Sequence, residues 1–133
     1  MLIYLASRYS RRLELCGYRQ ILEDLGHKIT SSWLNGSHEM KDGVSTKSEH
    51  LNRVRFAIED KEDLIQADLL IAFTEEGRSN SRGGRHVELG MAIGYEKKIY
   101  VVGEYENVFC CLPEVTRFET WDECLINLKT FRV

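Results

Sequence analysis

The chain has 133 residues, 43% of them hydrophobic and 29% charged, which is the size and composition of one compact globular domain. Eighteen Lys and Arg against 21 Asp and Glu leave a net charge of -3, so no global positive field draws the chain onto nucleic acid or anionic lipid. No apolar run approaches the roughly 20 residues that span a bilayer, and a soluble protein is expected.

Taken in chain order, Met1-Leu-Ile-Tyr-Leu-Ala6 is apolar but lacks a basic n-region and breaks at Ser7-Arg8, so it reads as a first strand rather than a leader. Its near-continuous apolarity over Leu2 to Ala6 suits a parallel strand buried on both faces. Leu15, Tyr18, Leu22 and Leu25 repeat at helical spacing and Gly26 follows where a left-handed C-cap belongs, which predicts a helix from about Arg11 to Leu25. His27 to Trp33 alternates around Ile29 and predicts a weaker strand, at the sheet edge. Residues 34–49 are polar, with Asn35-Gly36 and Asp42-Gly43 turn pairs, and predict a loop or lid.

Leu51, Val54, Ile58 and Ile65 then recur on one helical face, and Asp68-Leu-Leu-Ile-Ala-Phe73 is a second buried strand. A turn rich in Gly, Ser and Arg, Glu75 to Gly84, leads into a helix from about Gly84 to Tyr95 and a strand over Lys98 to Val102. Short elements around Thr116 to Phe118 and a helix from Trp121 complete the chain, with Phe118, Trp121 and Leu125 assigned to the core. The alternation favours a parallel sheet covered by helices in a single domain, 1–133. Cysteines stand at 16, 110, 111 and 124 with no C-x-x-C and no zinc-ligand spacing, so a reduced, cytoplasmic setting is expected and no metal site.

In an open parallel sheet, ligands bind at the carboxyl ends of the strands, near the point where strand order reverses. Ser7-Arg8-Tyr9-Ser10-Arg11-Arg12 places hydroxyls and guanidinium groups at such an end, suited to a phosphate or carboxylate or, equally, to a solvated basic turn. Arginines at a helix start oppose the macrodipole and need a compensating partner. In the second loop, Arg82, Arg85 and His86 surround the pair Gly83-Gly84, which lets backbone approach a ligand closely. Glu88 lies one turn past Gly84 and can reach whatever the glycines hold, although a first-turn glutamate also serves the helix dipole. The loop is neither a P-loop nor a G-x-G-x-x-G fingerprint. Asp68 reads as a structural strand-opening residue. Asp60 falls opposite the Leu51-Val54-Ile58 stripe, and periodicity alone makes it solvated.

With these residues in hand, the chain resembles the nucleoside 2-deoxyribosyltransferase family, including its relatives the 2'-deoxynucleoside 5'-phosphate N-hydrolases. The similar segments are Ile3-Tyr-Leu-Ala6, the stretch from Asp60 through Asp68-Leu-Leu-Ile-Ala72, Gly84-Arg-His-Val-Glu88-Leu-Gly90, and Thr116-Arg-Phe-x-x-Trp121-Asp122. They occur in the family's order over most of the chain and leave residues 34–49 unmatched. The resemblance implies a flavodoxin-like three-layer α/β sandwich on a mainly parallel five-stranded sheet, and cleavage between base and deoxyribose without a cofactor. Glu88 would be the nucleophile, forming a glycosyl intermediate. Asp60 would assist departure of the base and Tyr4 would orient Glu88. Glu88 is then expected to stay ionised while Asp60 holds a proton.

The resemblance further implies that Thr116 reaches a neighbouring subunit's site and contacts the 5'-phosphate, hence a homodimer or larger. Where the transferases carry an aspartate six residues before the nucleophile, this chain has Arg82, which suits a phosphate better than a base edge. Ser7, Arg8, Arg82, Gly83, Gly84, Arg85, His86 and Thr116 are therefore expected to bind substrate, with a monophosphate favoured over a free nucleoside. Trp33 either stacks on the base or packs in the core. The alternative function is a nucleotide-binding protein on the same fold that breaks no bond. A flavodoxin-like redox domain has no supporting constellation. Neither nucleic acid polymer nor membrane is expected as a partner.

Overall fold

The computed structural model describes residues 1–36, 47–76 and 83–130. The chain runs β1 (Leu2–Ala6), α1 (Arg12–Asp24), β2 (Lys28–Ile29), α2 (Lys47–Gln66), β3 (Leu69–Phe73), α3 (Gly84–Gly94), β4 (Lys98–Val102), β5 (Val115–Phe118) and α4 (Trp121–Thr130). All pairings are parallel and the sheet order is β2-β1-β3-β4-β5, a flavodoxin-like α/β fold. Order reverses between β1 and β3, so the crevice at their carboxyl ends is where such a sheet takes a ligand. β3 is closed to solvent throughout and β1 from Ile3 onward, as their continuous apolarity predicts.

Tyr18 of α1 stacks on Trp121 of α4 with centroids 4.3 Å apart and on Phe73 of β3 at 5.4 Å, so α1 and α4 share one face of the sheet. Right-handed crossovers put α2 and α3 together on the other, packed against each other and over β1. Phe118, Trp121 and Leu125 pack against the core as expected.

Two expectations change. β2 stops after Ile29, and Ser32–Asn35 form a 3-10 turn instead of extending it. The cause lies in β1: Leu5 N donates to Ser31 Oγ (3.1 Å) and Leu5 O accepts from Trp33 Nε1 (2.8 Å). Side chains thus take the ladder bonds that a longer strand would have made. The loop expected over 34–49 is also shorter, since 34–35 belong to that turn and 47–49 to α2, while 37–46 lie outside the described residues.

The second change is in α2. Its apolar stripe faces outward, with Leu51 61%, Val54 44%, Ile58 52% and Ile65 40% exposed. Phe56 and Leu64 are the residues of its opposite side that enter the core, and Asp60 and Asp63 go inward with them. Spacing correctly groups the residues of a face, but not which face meets the sheet.

Candidate active site

Three elements bring Tyr4, Asp60 and Glu88 together. β1 supplies Tyr4 from the middle of the sheet, α2 supplies Asp60, and α3 supplies Glu88 from its second turn. Their charges act on one another: Glu88 and Asp60 both oppose ionisation of Tyr4, and Asp60 opposes ionisation of Glu88. Tyr4 Oη and Glu88 Oε2 are shut off from solvent, and neither makes a hydrogen bond of normal length among the described residues. Buried polar atoms without partners are rare enough to mark a place where a ligand group belongs.

Burial dominates the titration of both carboxyls. Glu88 is pushed up to about 8 by desolvation and by the charge of Asp60, against the Tyr4 hydroxyl, which stands beside it and favours the ionised form. Asp60 rises to about 7 through burial, then through Asp63 and Glu59. Both carboxyls thus hold their protons well above the ordinary carboxylate range in the free protein, with burial the first cause for each. With Tyr4 itself raised well above its usual value, mainly by burial, the site is a hydroxyl and two carboxyls that together resist charge.

Sequence reasoning missed the supports of this cluster. Asp63 Oδ2 accepts from the backbone N of Ser32 at 3.0 Å and from its Oγ at 2.5 Å, tying the 3-10 turn to α2. The signal in the sequence was the i,i+3 spacing of Asp60 and Asp63, which puts two carboxylates on one helix face. Trp33 is nearly buried, with its indole N–H on Leu5 O and its ring 6.0 Å from that of Tyr9.

The arginines expected to receive an anion are already engaged. Arg8 Nη1 lies 3.3 Å and Arg11 Nη1 2.7 Å from the Glu75 carboxylate, and Arg11 also holds Glu14. These glutamates are the compensating partners that arginines at a helix start require. Arg85 is buried and bidentate on Glu106. Ser7 Oγ donates to Arg8 O at 2.9 Å, and the exposed His86 shares a contact with Asn107 at 3.3 Å. Gly83 takes φ +86 to open α3, whereas a Cβ on Gly84 would meet nothing within 4 Å. Arg82 lies outside the described residues. Thr116 is exposed on the edge strand β5, beside Tyr100 of β4, and does not join the cluster around Tyr4 within one chain.

A cavity of about 570 Å³ opens past the ends of β3 and β4, lined by Glu75, Glu76, Glu104, Tyr105 and Glu106. None of Tyr4, Asp60 or Glu88 lines it, and four carboxyl groups make it a poor receptor for a phosphate. Among the described residues no group of three or more His, Cys, Asp or Glu is arranged to hold a metal, and no helix is long and apolar enough to cross a membrane.

No family model and no curated protein matches the sequence. Solved structures do match the fold. A 2-deoxyribosyltransferase from Bacillus psychrosaccharolyticus superposes with a TM-score of 0.71 at 23% identity, over 99% of this chain and 93% of that one. A CMP N-glycosidase from Clostridium botulinum superposes with a TM-score of 0.61 at 18% identity, over 98% of this chain and 100% of the other. A conserved protein from Enterococcus faecalis V583 gives 0.58 at 15% identity, over 100% and 99% of the two chains. The likeness to the nucleoside 2-deoxyribosyltransferase family read from the motifs thus extends to the fold along essentially the whole chain.

Proposed function

We propose that this protein cleaves or transfers at the N-glycosidic bond of a 2'-deoxynucleoside or its 5'-monophosphate. The observation that supports this reading is the convergence of Tyr4, Asp60 and Glu88 at the β1/β3 switch point, with two buried oxygens unpartnered among the described residues. A protein that only bound an anion would gain nothing from two carboxyls there. The shared fold of a 2-deoxyribosyltransferase and a CMP N-glycosidase points the same way.

In the first step the Glu88 carboxylate attacks C1' as the bond from C1' to the base nitrogen breaks, and the electron pair leaves with the base. Asp60 delivers a proton to that base, and Tyr4 steadies Glu88. In the second step water or an acceptor base attacks C1' while its proton passes to the Asp60 carboxylate, the bond from C1' to Glu88 breaks with its electron pair returning to Glu88, and the sugar leaves with a new substituent. Ser7, the glycine pair and His86 would surround the sugar and its 5' end, and Trp33 would border the base.

The assembly we infer is a homodimer. Thr116 stands three strands from β1, about 14 Å away at ~4.8 Å per strand, which supports a role for it in a neighbouring subunit's site. The outward stripe of α2 offers a surface for that second copy.

A panel of deoxynucleosides and their 5'-monophosphates, with and without a free acceptor base, tests the reading by chromatography of released base. Release without acceptor identifies hydrolysis, and release only with acceptor identifies transfer. Glu88→Ala should abolish turnover and leave ligand affinity equal or better, since a nucleophile contributes in the transition state. Ligand-induced thermal stabilisation with no release from any substrate would instead select the binding-only alternative.

A further inference from the structure

We propose that Asp63 is a positioning residue of this site, holding the Ser32–Trp33 segment against the helix that carries Asp60. The kinetic consequences of the proposal rest on the N-glycosidic reading; its structural content does not.

Asp63 follows Asp60 by one helical turn on α2, and its Oδ2 takes both donors of Ser32, N at 3.0 Å and Oγ at 2.5 Å. Two charge-assisted bonds on one oxygen fix its direction more firmly than one. Ser32 opens the 3-10 turn Ser32–Asn35, which has no side-chain cap of its own, so α2 supplies the cap from outside. On its other side the turn is fastened to β1, through Ser31 Oγ on Leu5 N and Trp33 Nε1 on Leu5 O. Asp63 therefore closes a circuit. It runs from Tyr4 and Leu5 on β1, through Ser31, Ser32 and Trp33, to Asp63 and Asp60 on α2. Without Asp63, the turn keeps its hydrogen bonds to the sheet but loses those of Ser32 to the helix.

Asp63 also bears on the charge of the site, which a purely structural bond would not. Among the described residues, Asp63 and Glu59 from its own helix act on Asp60, and Tyr4 from β1 and Glu88 from α3 stand in the same cluster. After burial, Asp63 is the largest influence keeping a proton on Asp60. Protonated, Asp60 can hand that proton to a departing base.

The test compares Asp63→Ala, Asp63→Asn and Ser32→Ala. The chain has two tryptophans, so a Trp121→Phe background isolates Trp33. In that background Asp63→Ala and Ser32→Ala should increase acrylamide quenching of Trp33, while Asp63→Asn, which still accepts from Ser32, should leave it at the parent level. The Asp60 carboxyl, followed by NMR, should titrate lower by about one unit in both Asp63 variants, because each removes the like charge. In turnover, Asp63→Asn should keep KM and move the pH profile to lower pH, whereas Asp63→Ala should raise KM as well. Unchanged quenching in Asp63→Ala, or quenching in Asp63→Asn as strong as in Asp63→Ala, overturns the positioning role. An unmoved Asp60 titration overturns the electrostatic one. Quenching and titration need no substrate, so a wild-type protein inert toward every nucleoside defeats the N-glycosidic reading while these two measurements still decide the fate of Asp63.

Discussion

Arg85 of α3 holds Glu106, in the segment after β4, through two parallel hydrogen bonds, although their side chains are only 4% and 10% exposed. Burial works against the charge on Glu106, but the hydrogen bond and charge of Arg85 outweigh it and hold the carboxyl below its usual value. A lowered folded-state pKa stabilises the protein above the ordinary carboxylate range, and that stability is lost as pH falls through the lowered value. Glu106→Ala should therefore cost about 3 kcal/mol near neutrality, a Tm loss of about 10 °C, by leaving a buried guanidinium uncompensated. The double change Arg85→Met with Glu106→Leu should recover most of it, since the pair's desolvation disappears along with its attraction. Thermal melts of the single and double variants check this, and a Glu106→Ala protein melting like wild type would refute it.

Glu88 carries the opposite sign. Its folded-state pKa, about 8 against an ordinary 4.5, means that the folded protein binds a proton the unfolded chain has released. Stability from this group is full below the ordinary value and lost as pH rises through the folded one. Glu88→Gln does not titrate, so it should unfold like wild type at acidic pH and be more stable in alkali, by on the order of 1–3 kcal/mol. Urea unfolding at the two extremes measures the difference. An equal effect at both would mean that the buried carboxylate costs the fold nothing.

Much of the architecture is legible because buried parallel strands are written as unbroken apolar runs: Leu2 to Ala6 and Leu69 to Phe73 need no partner to be recognised. What could not be read depends on contacts between distant residues. β2 ends early because Ser31 and Trp33 side chains satisfy Leu5, a competition that no local pattern records. The arginines advertised an anion site because Glu75 and Glu106, their partners, lie far away in the chain. Asp60 looked solvated because apolar spacing defines a stripe without saying whether the sheet or another surface meets it. Its place in the cluster came instead from the motif resemblance, which carried the information that the helix period lacked.

If the proposed reaction holds, the coupled carboxyls set its pH dependence. The proposed reaction needs one proton on the pair, with Glu88 ionised and Asp60 protonated. Below about 7 both carboxyls fill with protons and the nucleophile is lost, and above about 8 both empty and the acid is lost. A plot of kcat/KM against pH should be a narrow bell with its maximum between those values, and its limbs belong to the pair rather than to either residue. A flat profile across this window would remove one carboxyl from the chemistry.

Tyr4→Phe separates the orienting hydroxyl from its ring. The hydroxyl favours ionised Glu88, so its loss should move the acid limb of the bell to higher pH and lower kcat/KM near neutrality by about 10- to 100-fold. Because Tyr4 Oη makes no hydrogen bond of normal length among the described residues, stability should hold or rise slightly, by less than about 1 kcal/mol. Kinetics together with a melting curve distinguish this from simple core damage, in which activity and Tm would fall together.

The outward face of α2 is where the proposed homodimer can be tested. Leu51, Val54, Ile58 and Ile65 are spaced three, four and seven residues apart, the spacing of a seam between two helices. About an antiparallel two-fold axis at Ile58 the stripe meets its own copy, with Leu51 opposite the partner's Ile65. Arg55 lies 3.8 Å from Glu59 of its own helix, where exposure leaves the pair worth little. Ile58→Arg puts two like charges on the axis and should convert a dimer to a monomer in sedimentation or light scattering. If Thr116 completes the neighbour's site, turnover should fall with the loss of the dimer and return at high protein concentration. A wild-type protein that sediments as a monomer at every concentration would end both ideas together.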